Sequence, residues 1–83
     1  MSAKVGNSDL VALGERISER RLSLGWSQED LGERCGLDRS DVSAVERGAR
    51  NASFVLLCRF CRALGCDVAE LTVGIPALSK RPL

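Results

Sequence analysis

The side chains that proteins most often use for proton transfer and metal binding are scarce in this 83-residue chain, which has no histidine and no tyrosine. Any reaction would have to run on Cys, Asp, Glu, Arg and Ser, and no grouping of these has the form of a catalytic constellation. No catalytic residue is therefore expected. Four cysteines remain: Cys35, Cys58, Cys61 and Cys66. The run CRFCRALGC contains a C-x2-C spacing that invites a zinc reading. Two features oppose it. Cys58 and Cys61 fall inside one helical pattern, and a structural zinc site usually has four ligands, with no histidine here to complete the set. The thiols read as small buried hydrophobes, with redox sensing as the alternative. No metal and no cofactor are expected.

Arginine is the more informative residue. Ten of the 12 basic residues are Arg, and net charge is only +1. The balance hides a polarity along the chain. Residues 9–33 carry six acids and three arginines, a net of −3. Residues 39–62 carry Arg39, Arg47, Arg50, Arg59 and Arg62 against Asp41 and Glu46, a net of +3. Such a local patch suits a polyanionic partner better than the overall charge suggests.

These residues need elements to position them, and the pattern is helical throughout. Residues 1–7 read as a flexible N-terminus. Ser8 or Asp9 would cap a first helix to about Leu24, with Leu10, Leu13, Ile17 and Leu24 on one stripe and Gly25 closing it. Ser27 with Asp30 forms a capping-box pair for a second helix ending near Cys35, and Trp26 and Leu31 have the spacing of a hydrophobic staple. Asp38 would cap a third helix to about Arg47, and Gly48 ends it. Ser53 caps a fourth, Phe54 to Leu64, closed by Gly65. Asp67 starts a short fifth, to about Leu71. The expected organisation is a domain over residues 8–74 and a C-terminal tail over 75–83.

Residues 28–47, two short helices joined by a Gly-containing turn, have the form of a helix-turn-helix. The fifth position must be small and is Gly32. The ninth, in the turn, favours positive φ and is Gly36. The fifteenth and eighteenth must be apolar and are Val42 and Val45. Gly32 would otherwise be a poor choice, costing about 1 kcal/mol against Ala in a helix interior.

The stretch from Leu13 to Leu71, with the ordered motifs GWSQEDL, GLDRSDVSAVERG and RNASF…RALGCD, resembles the Cro/repressor (XRE) family of regulators. Within it, LDRS…VERGARN is most similar to controller proteins of restriction–modification systems, with small plasmid repressors nearly as close. The resemblance implies an all-α, five-helix, lambda-repressor-like DNA-binding domain. It implies a homodimer on a palindromic operator, acting as a repressor or controller and regulating its own gene. Arg39, Ser40, Ser43 and Ala44 would face base edges, Arg being the side chain best shaped for guanine. Ser27, Gln28, Arg47, Arg50 and Asn51 would hold backbone phosphate. Arg21 and Glu46 align with a structural ion pair. Asp41 stands where controllers often carry an aromatic, and an acid there must pair with cytosine or orient Arg39. At the equivalents of Cys58, Cys61 and Cys66 the family places Leu, Ala and Val.

Leu71, Val73 and Ile75, with Leu78, are more apolar than a loose tail requires and are expected at the dimer interface, the alternative being that they fold back on the core of the single copy. The partners expected are thus double-stranded DNA and a second copy, with no membrane and no small-molecule ligand. No apolar run approaches a membrane span, and the N-terminus lacks the form of a secretory signal, so a cytoplasmic location is expected. A protein-interaction module of the antitoxin kind, using the same fold to bind a partner protein, is the competing reading.

Overall fold

A computed structural model describes residues 3–75, with side chains from Ser8 onward. It is all-α, with five helices: α1 (Ala3–Ser23), α2 (Gln28–Cys35), α3 (Arg39–Glu46), α4 (Phe54–Leu64) and α5 (Val68–Thr72). Pro76–Leu83, including Leu78, lie outside the described residues.

Local sequence explains most of the boundaries. Ser27 Oγ accepts from the Asp30 N–H at 3.0 Å, and Asp30 Oδ2 accepts from the Ser27 N–H at 2.8 Å, closing a capping box on α2. Ser53 Oγ accepts from the Leu56 N–H at the head of α4. Asp67 and Glu70 form a second capping box on α5. At the α2 end, Gly36 takes φ 74°, a conformation that favours glycine, and turns the chain toward α3.

Two helix ends and one cap bond depart from the sequence reading. α1 begins at Ala3, so Ser8 and Asp9 lie inside the helix and not at its start. A nucleated helix gains one backbone bond per added residue, and upstream growth needs no side-chain cap. Leu24 falls in the turn after α1 and is 46% exposed, off the apolar stripe. Asp38 occupies the N-cap position of α3 but makes no side-chain cap hydrogen bond; its carbonyl accepts from the Asp41 and Val42 N–H groups instead.

The core is built from one face of every helix. Ile17, Leu31, Val42, Phe60 and Leu71 are its fully buried large side chains, and Cys35, Val45, Leu56, Cys61 and Leu64 complete it. Each fully buried Phe or Leu contributes about 1.5–3 kcal/mol relative to exposure. Trp26 packs against the edge of this cluster. Two glycines permit close helix approach. A Cβ at Gly32 would meet the Leu37 carbonyl oxygen at 2.5 Å, and one at Gly14 would overlap the carbonyl oxygens of Val45 and Glu46. Gly14 thus lets α1 lie directly against the end of α3, a requirement the sequence motif did not disclose.

The chain after α4 corrects the expected dimer surface. Leu71 is 0% and Ile75 6% exposed within a single copy, so neither has area left to bury against another. They fold back onto the thin core of a small domain, where apolar area is in short supply. Val73, between them, is 64% exposed.

Candidate nucleic-acid interface

The α3 helix has two unlike faces. Val42 and Val45 are buried under α2 and α1, seating the helix. Arg39 and Ser40 at its N-terminal end are exposed, and Ser43 and Ala44 are half-buried one turn on. Of the four residues expected to face bases, two are thus open to solvent and two are partly covered, as Asp41 between them is. Arg47 extends from its C-terminal end, where its Nε donates to Ser43 Oγ at 3.3 Å.

A buried ion pair fixes the angle of this helix. Arg21 Nε and Nη2 donate to Glu46 Oε2 and Oε1 at 2.7 and 3.0 Å, and Arg21 Nη1 donates to the Trp26 carbonyl at 2.8 Å. The side chains are only 10% and 6% exposed. The carboxylate raises the Arg21 pKa, outweighing the opposing effect of burial. Gln28 joins them, its Nε2 donating to Glu46 Oε1 at 3.0 Å. One amide hydrogen of Gln28 is thus committed inside the protein. The N-terminus of α2, the end of α1 and the end of α3 meet at a single carboxylate.

Asp41 does not orient Arg39. Its Oδ1 lies 3.1 Å from Arg50 Nη1, with both side chains more than two-fifths exposed. Arg50 reaches back from the α3–α4 loop to the first turn of α3, and Asn51 beside it is exposed. Leu37, Arg50, Asn51, Ser53, Val55, Leu56 and Arg59 line a groove beside the loop. Ser27 is exposed, and its oxygen already accepts the α2 cap bond.

Sequence reasoning missed three of these arrangements. Arg34 stacks on the Trp26 ring with its guanidinium carbon 4.1 Å from the ring centre. Asp41–Arg50 and Gln28–Glu46 join residues nine and eighteen positions apart across turns, and no periodicity marks them. The thiols are free, with Cys35 and Cys61 buried. Burial, and then the neighbouring thiols Cys66 and Cys58, push the Cys61 pKa up to about 11. Among the described residues, no group of three or more Cys, Asp or Glu is arranged to hold a metal ion. No described helix is long and apolar enough to cross a membrane.

A family model described as a helix-turn-helix domain matches residues 12–73. A hypothetical transcription factor from Neisseria meningitidis serogroup B is 45% identical over 51 residues, covering 61% of this chain and 48% of that protein. The match therefore spans about half the length of that relative. The crystal structure of the restriction–modification controller protein C.AhdI from Aeromonas hydrophila superposes with a TM-score of 0.74 at 48% identity, covering 76% of this chain and 96% of that one. The controller protein C.Esp1396I, solved as a tetramer with its natural 35 base-pair operator, gives a TM-score of 0.70 at 30% identity, covering 76% and 83%.

Proposed function

The chain belongs to the helix-turn-helix domain family, and on that premise we propose that it is a sequence-specific regulator of transcription that binds double-stranded DNA. The observation that carries this reading is the division of α3. Val42 and Val45 anchor it, while Arg39 and Ser40 are exposed and Ser43 and Ala44 are half-buried, which supports a face open to a groove. A helix held this way can enter a major groove with its N-terminal residues at base edges. Arg39 reads guanine through O6 and N7, Ser43 supports Arg47, and Ala44 offers a methyl to thymine. Gln28, Ser27, Arg47, Arg50 and Asn51 lie at the margins, where they hold phosphate and set register.

The chain works as a homodimer on a palindromic operator. One module reads only a few base pairs, and pairing two places the recognition helices about 34 Å apart, one turn of DNA. The tetramer of C.Esp1396I on its natural operator supports binding by more than one copy. Among the described residues the exposed large apolar side chains are Val11, Leu22, Leu24, Phe54, Val55 and Val73, and we place the contact with a second copy at the three most exposed, Phe54, Val73 and Val55. We further propose that the operator lies upstream of the chain's own gene and that the protein acts in the cytoplasm. The test is fluorescence anisotropy with that upstream segment and with a scrambled duplex. Specific binding should exceed non-specific binding by about 10³ or more and weaken as salt rises. Equal, weak binding to both would refute the autoregulatory reading.

A further inference from the structure

Three arginines to which no DNA contact has been assigned gather in one groove. It runs between the C-terminal end of α2 and the length of α4, lined by Arg34, Cys35, Gly36, Arg59, Arg62 and Ala63. It therefore holds three guanidinium groups and no carboxylate, and all three arginines are exposed. Among the described residues, the salt bridges are Arg21–Glu46 and Arg50–Asp41, so none of these three has an acid within ion-pair distance. Asp30, one turn before Arg34, already accepts the Ser27 N–H in the α2 cap.

The frame that carries these charges is rigid. Arg34 lies flat over the Trp26 ring, which limits its rotamers. Arg59 and Arg62 are three residues apart on α4 and so share a side of the helix. The two walls are joined where Cys35 Sγ donates to the Arg59 carbonyl at 3.8 Å, above the buried side chains of Leu31 and Phe60. Asp30 offsets part of the charge at Arg34, and the like charges that remain raise the local positive potential and attract a polyanion. Arg59 also lines the adjoining groove that holds Arg50 and Asn51. The basic surface is thus continuous from the loop beside α3 to the last turn of α4.

We infer that the DNA-binding surface does not end at the α3–α4 loop: Arg59 and Arg62, with Arg34 beside them, hold a further stretch of the duplex's phosphate backbone, outside the bases that α3 reads. The inference rests on the DNA-binding reading above. Guanidinium groups suit phosphate because they offer paired N–H donors in a planar fork. Contacts to phosphate give affinity and register and no sequence preference.

The test is the salt dependence of binding to a labelled random-sequence duplex, followed by anisotropy across several KCl concentrations. The double variant Arg59→Gln/Arg62→Gln should bind more weakly, and the slope of log K against log salt should fall by about 0.9 for each phosphate no longer neutralised, or about 1.8 for the two. Arg59→Lys/Arg62→Lys should keep most of the slope. Both side chains are exposed, so thermal unfolding followed by circular dichroism should be unchanged. A Gln variant with the slope and affinity of the wild type overturns the inference, leaves DNA binding by α3 standing, and assigns the groove to an acidic protein instead. Weakening confined to one operator sequence also overturns it, because phosphate binding acts on all sequences together. A wild-type chain that ignores duplex DNA at low salt overturns the DNA-binding reading, and this inference with it.

Discussion

Arg39 and Asp41 stand two residues apart in the first turn of α3, and their surroundings assign them opposite parts. Arg39 is exposed, and neither of the ion pairs among the described residues engages it, so its fork is available to a base. Arg39→Ala should cost about 1–3 kcal/mol at one operator position, while Arg47→Ala should weaken all sequences alike. Binding to a panel of single-base operator variants separates the two, and a uniform weakening from Arg39→Ala would remove it from base reading. Asp41 restrains Arg50 and places a negative charge near the proposed DNA face. Asp41→Asn should therefore strengthen binding to unrelated duplexes, and unchanged or weaker binding would show that the pair does not hold Arg50 back. At Cys61 the folded-state pKa, about 11, lies above that of a free thiol. Folding then favours the protonated form, a contribution present at neutral pH and lost as pH rises through about 9 to 11. Stability should fall across that window, and Cys61→Ala should flatten the fall; denaturant midpoints at each pH decide it. The residue types were legible from the sequence because the motif places them. Their pairings were not, since Asp41 meets Arg50 only through the path of a loop.

Among the elements, the position of α3 depends on one carboxylate that receives Arg21 from α1 and Gln28 from α2. Removing one member of a buried pair typically costs about 3–5 kcal/mol, because the other charge is left without a partner. Arg21→Ala should lower stability on that scale and weaken binding to every duplex together, read from denaturant unfolding and from anisotropy on matched and mismatched operators. Loss of discrimination at a single base, with stability intact, would contradict this. Gly14→Ala tests the same junction from the other side. Its methyl would run into the Val45 and Glu46 carbonyls, an overpacking cost of about 1–3 kcal/mol. The helix ends most easily read from the sequence were those with side-chain caps and glycines, such as Ser53 and Gly65 around α4. The start of α1 was not, because helical backbone continues upstream of Ser8 without a cap signal. Asp38 shows the converse: its residue type suits a cap, but its side chain makes no cap bond.

For the whole molecule, the proposed pairing of two copies turns on which apolar side chains stay exposed. Apolarity alone does not distinguish a core from an interface, and the segment after α4 shows it. Leu71 and Ile75 complete the protomer, and Val73, Phe54 and Val55 face outward. Phe54→Asp should shift sedimentation toward monomer and weaken operator binding; a chain that is monomeric at every concentration before any substitution would end the dimer account. The central claim, sequence-specific recognition of the duplex upstream of the chain's own gene, is tested most directly by anisotropy. The upstream segment of the chain's own gene is compared with a scrambled duplex at two salt concentrations. The expected result is at least about 10³ tighter binding to the upstream segment, with affinity for both falling as salt rises. Equal affinities, or binding indifferent to salt, would contradict it.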